Sequence, residues 1–326
     1  MWKRTNFALN TSIGFQVMED EWSDGGNSTD DSDDSGDNDP IECTGKHDQE
    51  YFMRNPRRGK GLIFNFVEFD KEMYNTRNGS NKDADSLKRT LKFLGFEVKT
   101  YTNLTVAAVK KVIEMVSKED HSEADCICIC VMTHGHEGGK LSARDELFEV
   151  SDLWMPFTAD RCPSLAGKPK LFFVQACRGN RHDAGSTVED LPEDVIDCKT
   201  PACRGNKHDA GSNVEECTED FTGYRIPVYS DILLAYSSVH GFSSIRDVKK
   251  GTWFMQSLCQ ELLENGRKHH LLTILTFVCK RVAIDFQTFT GEKQMPTVVS
   301  MLTRLLYFRP LEDECSNNSD EELQIT

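Results

Sequence analysis

The sequence predicts an α/β fold whose sheet is mostly parallel and covered by helices on both faces. Six hydrophobic runs have the length of strands, and helical patterns fall between most of them. Strands that alternate with helices favour parallel pairing, because each helix returns the chain to the same end of the sheet. The six runs are residues 61–67, 97–101, 126–132, 171–175, 232–237 and 304–308.

Four segments between these runs have the apolar spacing of amphipathic helices. In the first segment, Leu87, Leu91 and Leu94 share one face and follow acidic residues at its start. The second segment shows the same three- and four-residue spacing. The predicted helices span residues 83–96, 106–116, 252–267 and 270–286.

Negative charge is concentrated at the two ends of the chain. Residues 1–50 hold 13 acidic and 3 basic side chains, and residues 310–326 hold 6 acidic and no basic ones, within a net charge of −15. The run 28–39 contains no apolar residue and buries too little surface to offset the entropy of ordering. We therefore expect a disordered acidic segment over residues 1–50, a near-neutral globular body and an acidic tail.

The sequence gives no sign of export or membrane insertion. It contains no run of 18 apolar residues, and its N-terminus lacks the apolar core of a signal peptide. We expect a cytoplasmic protein whose 12 cysteines are reduced. Cys126, Cys128 and Cys130 share one face of a strand, which is typical of a buried layer rather than of a metal site. The sequence predicts no metal and no cofactor.

The chain between Gly179 and Tyr224 shows no apolar periodicity and is rich in Asp, Glu, Gly and Asn. We predict a long exposed loop, and loops of this kind are usually functional or cut. The loop contains most of an internal duplication, because residues 176–189 recur, with two substitutions, as residues 202–215. A second Cys-Arg-Gly therefore stands at Cys203, after the first at Cys177.

Two of the predicted strands end in residues that suit nucleophilic catalysis. The run 171–175 is followed by Cys177, and the run 126–132 is followed by His134 and Gly135. The carboxyl ends of parallel strands meet at one edge of the sheet, where α/β proteins bind their ligands. A thiol becomes a strong nucleophile when a nearby imidazole takes its proton. The sequence therefore predicts a Cys–His site at this edge.

Residues 175–179 read Gln-Ala-Cys-Arg-Gly and match, at all five positions, a signature that is typical of caspases when a histidine lies upstream. The stretches 226–259 and 293–303 resemble the caspase small subunit, so the resemblance covers residues 50–309. The chain resembles executioner caspases, cysteine endopeptidases that cut after aspartate. The resemblance implies a mixed six-stranded sheet with helices on both faces.

The resemblance implies a role for each residue of the predicted site. Cys177 is the nucleophile, His134 carries protons, and the backbone N–H groups of Gly135 and Cys177 hold the oxyanion. Gly135 lacks a Cβ, which lets the substrate carbonyl approach the backbone closely. In the family a backbone carbonyl orients the histidine, and the matching region here is Asn75 or Thr76.

The resemblance also implies a pocket for the substrate aspartate. Arg77 and Arg246 match the two arginines of the family, and Gln175 matches its third donor. Ser244 belongs to the same substrate-binding segment as Arg246. Arginine suits this task because its planar fork binds a carboxylate through two hydrogen bonds.

The segment before Arg246 departs from the executioner pattern, which carries aromatic residues there. The positions here read Ser243, Ser244 and Ile245. Without an aromatic wall we expect a wider pocket for the residue next to aspartate, and a preference that differs from acidic-x-x-Asp. The segment after Phe289 is also shorter than in many executioners, which predicts a weaker distal subsite.

The two copies of Cys-Arg-Gly compete for the catalytic role. Cys177 follows a hydrophobic strand, whereas Cys203 follows Asp-Cys-Lys-Thr-Pro, which no buried strand would tolerate. Pro201 also stands where the first copy has glutamine. We assign Cys177 as the nucleophile and interpret the second copy as an inserted linker segment. Counted from Cys203, the distance to Pro227 is closer to the family's usual spacing, which keeps the alternative open.

The resemblance divides the chain into the parts of a zymogen. We expect a prodomain over 1–50, a large subunit over 51–197, a cleavable linker over 180–222 that overlaps its end, and a small subunit over 223–309. Residues 310–326 form a tail. The prodomain is too short for a death-fold adaptor domain, so we expect no recruitment to an initiator platform. The candidate activation cuts follow Asp34, Asp37, Asp183, Asp197, Asp209 and Asp220.

The expected partners also follow from the resemblance. They are protein substrates with exposed aspartate, an upstream activating protease, inhibitor proteins and a second copy of the chain, in a pathway of apoptosis. The run 305–308 resembles the edge through which caspases form dimers. We interpret the basic run 54–60 as a solvated loop, or as a weak steering element for acidic substrates, and expect no nucleic acid or membrane partner.

Two other interpretations stay open. The chain is alternatively a catalytically weak homologue that regulates another caspase by heterodimerisation, with the duplicated linker blocking maturation. Ile245 also suggests an initiator-like protease with narrow substrates.

Overall fold

The computed structural model describes residues 45–70, 74–187 and 224–311. Their strands are β1 (Lys60–Asn65), β2 (Glu97–Thr102), β3 (Ile127–Met132), β4 (Lys140–Ser142), β5 (Leu147–Glu149), β6 (Lys170–Gln175), β7 (Ile232–Tyr236), β8 (Arg246–Asp247), β9 (Gly251–Thr252) and β10 (Thr297–Ser300). The α-helices are α1 (Ser80–Phe93), α2 (Val106–Ser117), α3 (Ser151–Trp154), α4 (Trp253–Asn265) and α5 (Leu271–Asp285).

The main sheet has the strand order β10-β7-β6-β3-β1-β2. The four pairings from β7 to β2 are parallel, and the edge strand β10 pairs with β7 in the antiparallel sense. The hairpins β4–β5 and β8–β9 lie outside this sheet. The prediction of a mixed six-stranded sheet is confirmed. The carboxyl ends of β1, β3, β6 and β7 share one edge, since these strands run in parallel.

The sheet separates two hydrophobic clusters. On one face, side chains such as Ile63 and Cys128 pack with residues of α1, α4 and α5. On the other face, Leu62 and Ile129 pack with residues of α2. The alternation of side chains along each strand assigns neighbouring residues to opposite faces. Cys126, Cys128 and Cys130 all belong to the first cluster and are at most 1% exposed, as the alternation predicted.

Threonines begin two of the helices. The Thr105 hydroxyl accepts a hydrogen bond from the Ala108 N–H at 3.2 Å, and the Thr252 hydroxyl accepts one from Met255 at 3.4 Å. The helix α1 begins at Ser80, three residues before the predicted start at Asp83. The longest described helix has 15 residues, and among the described residues no helix has the length and apolarity needed to cross a membrane.

The prediction of a strand over residues 304–308 is wrong. In the described range 224–311, this run makes only an isolated bridge between Leu305 and Glu50, and the sixth strand is β10. The apolar residues of this run are explained by burial in the core rather than by strand pairing. Leu306 is 1% exposed and Phe308 is 3% exposed, because both pack into the cluster on the α1 face. The edge of the sheet beside β7 is therefore formed by residues 297–300 rather than by 305–308.

The interpretation of the basic run 54–60 as a solvated loop is wrong for Arg58. Its Nη1 lies 2.6 Å from Asp125 Oδ2, and both side chains are at most 1% exposed. Asp125 also accepts hydrogen bonds from the backbone and side-chain nitrogens of Asn55. The neighbouring Arg57 pairs with Glu123 at the surface, at 3.3 Å. Lys60 pairs with Glu119, and both side chains are partly exposed, so the run contributes one buried ion pair and two that reach solvent.

Candidate active site

The strands β3 and β6 end in register. They pair in parallel with Met132 opposite Gln175. The next residue, Thr133, donates its N–H to the Gln175 carbonyl at 3.0 Å, so the pairing continues to the strand ends. His134 and Cys177 each follow this pair by two residues. The structure therefore places both at the same edge, at the ends of neighbouring strands.

Gly135 lies against the backbone of the cysteine. A Cβ at this position would stand 1.9 Å from the Cys177 carbonyl oxygen and 2.9 Å from the Ala176 Cβ. These are distances that real side chains do not adopt. The family resemblance implied a different reason for glycine, namely the close approach of a substrate carbonyl. The structure shows that glycine is already required to bring the two strand ends together.

A backbone carbonyl and two aromatic rings surround His134. Its Nε2 lies 2.9 Å from the Asn75 carbonyl oxygen, so the orienting residue is Asn75 rather than Thr76. The ring centroid is 4.9 Å from that of Phe69 and 5.9 Å from that of Tyr74, which is stacked on it. A carbonyl only accepts hydrogen bonds, so in the neutral ring the proton is on Nε2. Nδ1 then keeps its lone pair and can accept a proton.

Burial lowers the pKa of His134 below its ordinary value of 6.5. The positive charges of Arg77, Arg246 and His136 lower it further, and the hydrogen bond to Asn75 opposes these effects. The imidazole is therefore held in its neutral form at lower pH than a free histidine. A neutral imidazole is the form that accepts the proton of a thiol.

The loop before β8 covers the thiol. The Ser244 N–H donates to Cys177 Sγ at 3.2 Å, and the thiol lies 3.8 Å from the Ser244 carbonyl oxygen. The Ser244 hydroxyl accepts a hydrogen bond from Gln175 Nε2 at 2.7 Å. Ser244 therefore contacts both the cysteine and the amide that sequence comparison assigned to the substrate pocket.

Arg77 is enclosed by the protein and only 1% exposed. Its Nη1 donates to the Phe66 carbonyl at 2.8 Å and to the Ser80 hydroxyl at 2.7 Å. Burial, and then the charge of Arg246, lower its pKa to about 9. Arg246 is half-buried, and burial also lowers its pKa. Two guanidinium groups thus lie near each other at the edge of the sheet.

Asp83 provides a negative charge close to both arginines. Its carboxylate oxygens accept the Thr252 N–H at 3.0 and 3.1 Å. A Cβ on Gly251 would lie 2.2 Å from Oδ1, so the β8–β9 turn closes tightly over the carboxylate. Burial raises the pKa of Asp83 to about 6, although its hydrogen bonds and the charges of Arg77 and Arg246 lower it. With one carboxylate for two cations, the site carries an excess positive charge that suits an anionic ligand.

Gln294 ties the covering loop to the sheet. Its Oε1 accepts the Ile245 N–H at 2.6 Å, and its Nε2 donates to the Ser237 carbonyl at 2.8 Å. The side chain is 3% exposed. Because Ile245 precedes Arg246, this amide fixes the backbone on which the half-buried arginine stands.

Four residues near the site were not identified from the sequence as site residues, namely Phe69, Tyr74, Asp83 and Gln294. Asp83 has the ordinary appearance of an acidic residue in the first turn of a helix, and Gln294 lies in an irregular segment. No local pattern marks either of them. Phe69 and Tyr74 lie between β1 and Arg77. The sequence signal for Tyr74 is that it directly precedes Asn75, one of the two residues predicted to orient the histidine.

Several predicted positions lie outside the described residues. These are Cys203 and the candidate cuts after Asp34, Asp37, Asp197, Asp209 and Asp220. Asp183 is described, and its carbonyl accepts the Lys293 N–H at 2.9 Å. Within the three described ranges, no group of three His, Cys, Asp or Glu side chains is arranged to hold a metal ion.

Comparison with known proteins identifies close relatives of this arrangement. Residues 58–307 match the caspase domain. Caspase-1 of Spodoptera frugiperda is 42% identical over 79% of this chain and 81% of that protein, and drICE of Drosophila melanogaster is 42% identical over 81% and 74%. Caspase-7 of Gallus gallus is 37% identical over 79% and 80%. The crystal structure of the Spodoptera caspase-1 aligns with a TM-score of 0.72 at 39% identity, and covers 83% of this chain and 97% of that one.

The six-stranded α/β sheet with cysteine and histidine at its edge defines a cysteine-type endopeptidase. The chain belongs to the caspase family. Its similarity to drICE and caspase-7 confirms the resemblance to executioner caspases.

Proposed function

We propose that this chain is the zymogen of an executioner-type caspase that cuts proteins after aspartate. The observation that carries the proposal is the meeting of His134 and Cys177 at the in-register ends of β3 and β6. Arg77 and Arg246 stand beside them with a partial counter-charge from Asp83. A nucleophile beside a cationic pocket suits hydrolysis of a peptide bond that follows a carboxylate.

In the proposed reaction, His134 Nδ1 takes the proton of the Cys177 thiol, and the thiolate attacks the carbonyl carbon of the substrate aspartate. The N–H groups of Gly135 and Cys177 stabilise the oxyanion. His134 then gives its proton to the leaving amine, and the C–N bond breaks to leave a thioester. Water, deprotonated by the same imidazole, hydrolyses the thioester and releases the carboxylate product. No metal takes part in these steps.

Arg77, Arg246 and Gln175 are proposed to bind the substrate aspartate. In the structure the Gln175 amide donates to the Ser244 hydroxyl, so an oxygen acceptor already occupies this proposed donor. A substrate would displace this hydroxyl, and Ser244 would then contribute its backbone to the bound peptide. The contact of Ser244 with the thiol supports a latent state of the uncut chain.

The neighbouring subsites are proposed to be less selective than in executioners with an aromatic wall. Ile245 packs against the cluster on the α1 face and adds no ring to the groove. Phe289 is fully exposed at the opposite loop, where the segment is short. We propose a broad preference at the position next to aspartate.

Activation is proposed to follow cuts in the linker over 180–222, after Asp197 or Asp220, with removal of residues 1–50 after Asp34 or Asp37. The products would be a large subunit within 51–197 and a small subunit over 223–309, with the tail 310–326. An upstream protease would make the cuts, and inhibitor proteins would block the groove. A role in apoptosis rests on the similarity to drICE and caspase-7.

We propose that the active form is a homodimer that pairs through β10, an edge strand of the sheet that exposes apolar side chains. Val299 of β10 is 43% exposed, and Met295 just before it is also 43% exposed. Unpaired strand edges with apolar side chains favour pairing with another chain. A cytoplasmic location is supported by the described cysteines, all of which are free thiols.

A fluorogenic peptide library tests the proposal. The chain, cut in the linker by an added protease, is assayed on peptides that end in Asp, with Glu and Asn peptides as controls. Hydrolysis of Asp peptides alone, with any residue accepted before Asp, supports the proposed function. Absence of hydrolysis after complete cutting, together with measurable binding to another caspase, would instead establish the regulatory homologue. A narrow preference would favour the initiator-like alternative.

A further inference from the structure

The segment that follows the cysteine crosses the loop 239–243. The Arg181 N–H donates to the Gly241 carbonyl at 3.1 Å, and its carbonyl accepts the Ser243 N–H at 2.8 Å. The residue also makes a parallel bridge with Phe242, and its guanidinium lies 4.3 Å from the centre of that ring. The backbone of Arg181 is therefore paired like that of a residue in a sheet.

The same segment then crosses the loop 291–294. The Asp183 carbonyl accepts the Lys293 N–H at 2.9 Å in an antiparallel bridge. The Asp183 Oδ1 accepts the Gly185 N–H at 2.9 Å, and Gly185 packs on the Lys293 side chain. His182 Nδ1 lies 3.4 Å from Glu292 Oε1. We call residues 181–185 the strap, because they join the two loops.

Both loops carry parts of the proposed aspartate pocket. The first leads directly into Ser244 and Arg246, and the second contains Gln294, whose amide holds the Ile245 N–H. The strap is attached to Cys177 by three residues of chain. It therefore links the proposed nucleophile to both sides of the pocket.

We propose that the pairing of the strap with these two loops shields Asp183 from the activating cut. A protease binds the chain to be cut in an extended form and needs its backbone groups free. Here the carbonyl of the Asp183–Ala184 bond is already bonded to Lys293, and Arg181 is paired through both backbone groups. The strap must open before it is cut. The proposal deepens the proposed function, since it says which aspartate of the linker is not an activation site.

The internal duplication provides a matched site in the same chain. The strap reads Arg-His-Asp-Ala-Gly, and residues 207–211 read Lys-His-Asp-Ala-Gly. Each aspartate is followed by Ala-Gly-Ser and preceded by histidine, so a protease meets nearly the same side chains at Asp183 and at Asp209. A difference in cutting rate therefore reports the local structure.

The experiment digests the full-length chain carrying Cys177→Ser and Cys203→Ser, so that self-cutting does not contribute. A low dose of Glu-C endoproteinase in phosphate buffer, which cuts after Asp and Glu, is added, and mass spectrometry follows new C-termini at Asp183 and Asp209. We expect Asp209 to be cut at least about tenfold faster in the native chain, because a paired segment is cut only when it opens. In the urea-unfolded chain, digested at the same dose, the two rates should become similar. Equal native rates, or equal resistance of both sites, would overturn the proposal.

A second variant loosens the strap without changing either cut site. A Cβ on Gly241 would lie 2.6 Å from Arg181 Nη2, in a backbone conformation with φ of +86°. Gly241→Val should therefore raise the rate at Asp183 severalfold and leave the rate at Asp209 unchanged. Arg181→Lys makes the strap identical to residues 207–211, and should keep Asp183 slow if pairing rather than sequence protects it. An unchanged ratio in Gly241→Val would contradict the proposal. Because the digested chain lacks both cysteines, the result does not depend on catalytic activity.

Discussion

The Ser244 N–H lies 3.2 Å from the Cys177 sulphur, while the hydroxyl of the same residue accepts the Gln175 amide at 2.7 Å. A single residue of the covering loop therefore engages both the proposed nucleophile and one donor of the aspartate pocket. A substrate carbonyl that approaches the thiol would compete with these contacts. The arrangement supports the proposal that the uncut chain is latent.

The choice of nucleophile is tested by replacing each cysteine of the duplication. Cys177→Ser should lower hydrolysis of Asp peptides by at least about a thousandfold. The reason is that the Cys177 sulphur is the attacking atom in the proposed mechanism. Cys203→Ser should leave the rate unchanged. The measurement is the initial rate on a fluorogenic Asp peptide after linker cutting. Loss of activity in Cys203→Ser alone would instead assign Cys203 as the nucleophile, the alternative that its spacing to Pro227 supports.

The aspartate pocket is tested with Arg246→Gln. A hydrogen bond to a charged group contributes about 1.5–3 kcal/mol, so kcat/KM for Asp peptides should fall by roughly 10- to 150-fold. Discrimination between Asp and Asn peptides should fall as well. Arg57→Gln removes an arginine of the exposed pair with Glu123 and is the matched control, for which no change is expected. Equal losses on Asp and Asn peptides would show that Arg246 does not read the carboxylate.

The pH dependence of kcat/KM should reflect the enclosure of His134. Since burial lowers its pKa below 6.5, the neutral imidazole persists to lower pH, and the acid limb should lie below pH 6.5. Tyr74→Ala exposes the His134 imidazole to water, so the acid limb of this variant should move up towards pH 6.5. Tyr74→Phe keeps an aromatic ring beside His134, so its acid limb should match that of the parent chain. Asp83, whose pKa burial raises to about 6, titrates nearby, and all three proteins keep it. An identical limb in Tyr74→Ala and the parent would refute this role for the aromatic ring.

Gly135→Ala should impair catalysis through geometry alone. The added Cβ would meet the Cys177 carbonyl at 1.9 Å, so the two strand ends must separate. A displacement of about 1 Å at a reacting group costs roughly a hundredfold in rate, and we expect a loss of this size in kcat. Gly167→Ala is the control for backbone strain without a clash, because its φ of +72° disfavours alanine but no atom lies within 4 Å of the added Cβ. A similar loss of kcat in both variants would indicate general destabilisation.

Much of the fold was predictable because buried parallel strands have continuous hydrophobic runs. The strands β3 and β6 are buried at every position, and their runs were found within one residue of each bound. The edge strand β10 was missed because only two of its four residues are even partly buried. The run 304–308 was mistaken for a strand, since the core that Leu306 and Phe308 enter is not visible in the local pattern.

The site was predictable where a motif places a residue at the end of a strand. Cys177, His134 and Gly135 follow strands directly, so periodicity and signature both point to them. Asp83 and Gln294 reach the site through long-range contacts, with Thr252 and Ile245 respectively. Such contacts depend on how separate segments pack, and a single sequence holds no pairing information for them.

The buried pair of Arg58 and Asp125 should be costly to break and nearly neutral to replace. Burial raises the pKa of Asp125 although Arg58 lowers it, so desolvation of the carboxylate outweighs the attraction. Asp125→Ala leaves the guanidinium buried without its partner, and we expect a loss of about 3–5 kcal/mol in the free energy of unfolding. Glu123→Ala breaks the exposed pair with Arg57 and should cost less than about 1 kcal/mol.

The measurement is urea unfolding of the Cys177→Ser chain with each replacement added. The double variant Arg58→Met with Asp125→Leu removes both charges, and should recover most of the stability that Asp125→Ala loses, because no uncompensated charge remains. Arg58 Nε also donates to the Leu94 carbonyl at 3.0 Å, so the recovery should be incomplete. A double variant less stable than Asp125→Ala would show that the ion pair itself, rather than the penalty of a lone charge, stabilises this end of the sheet.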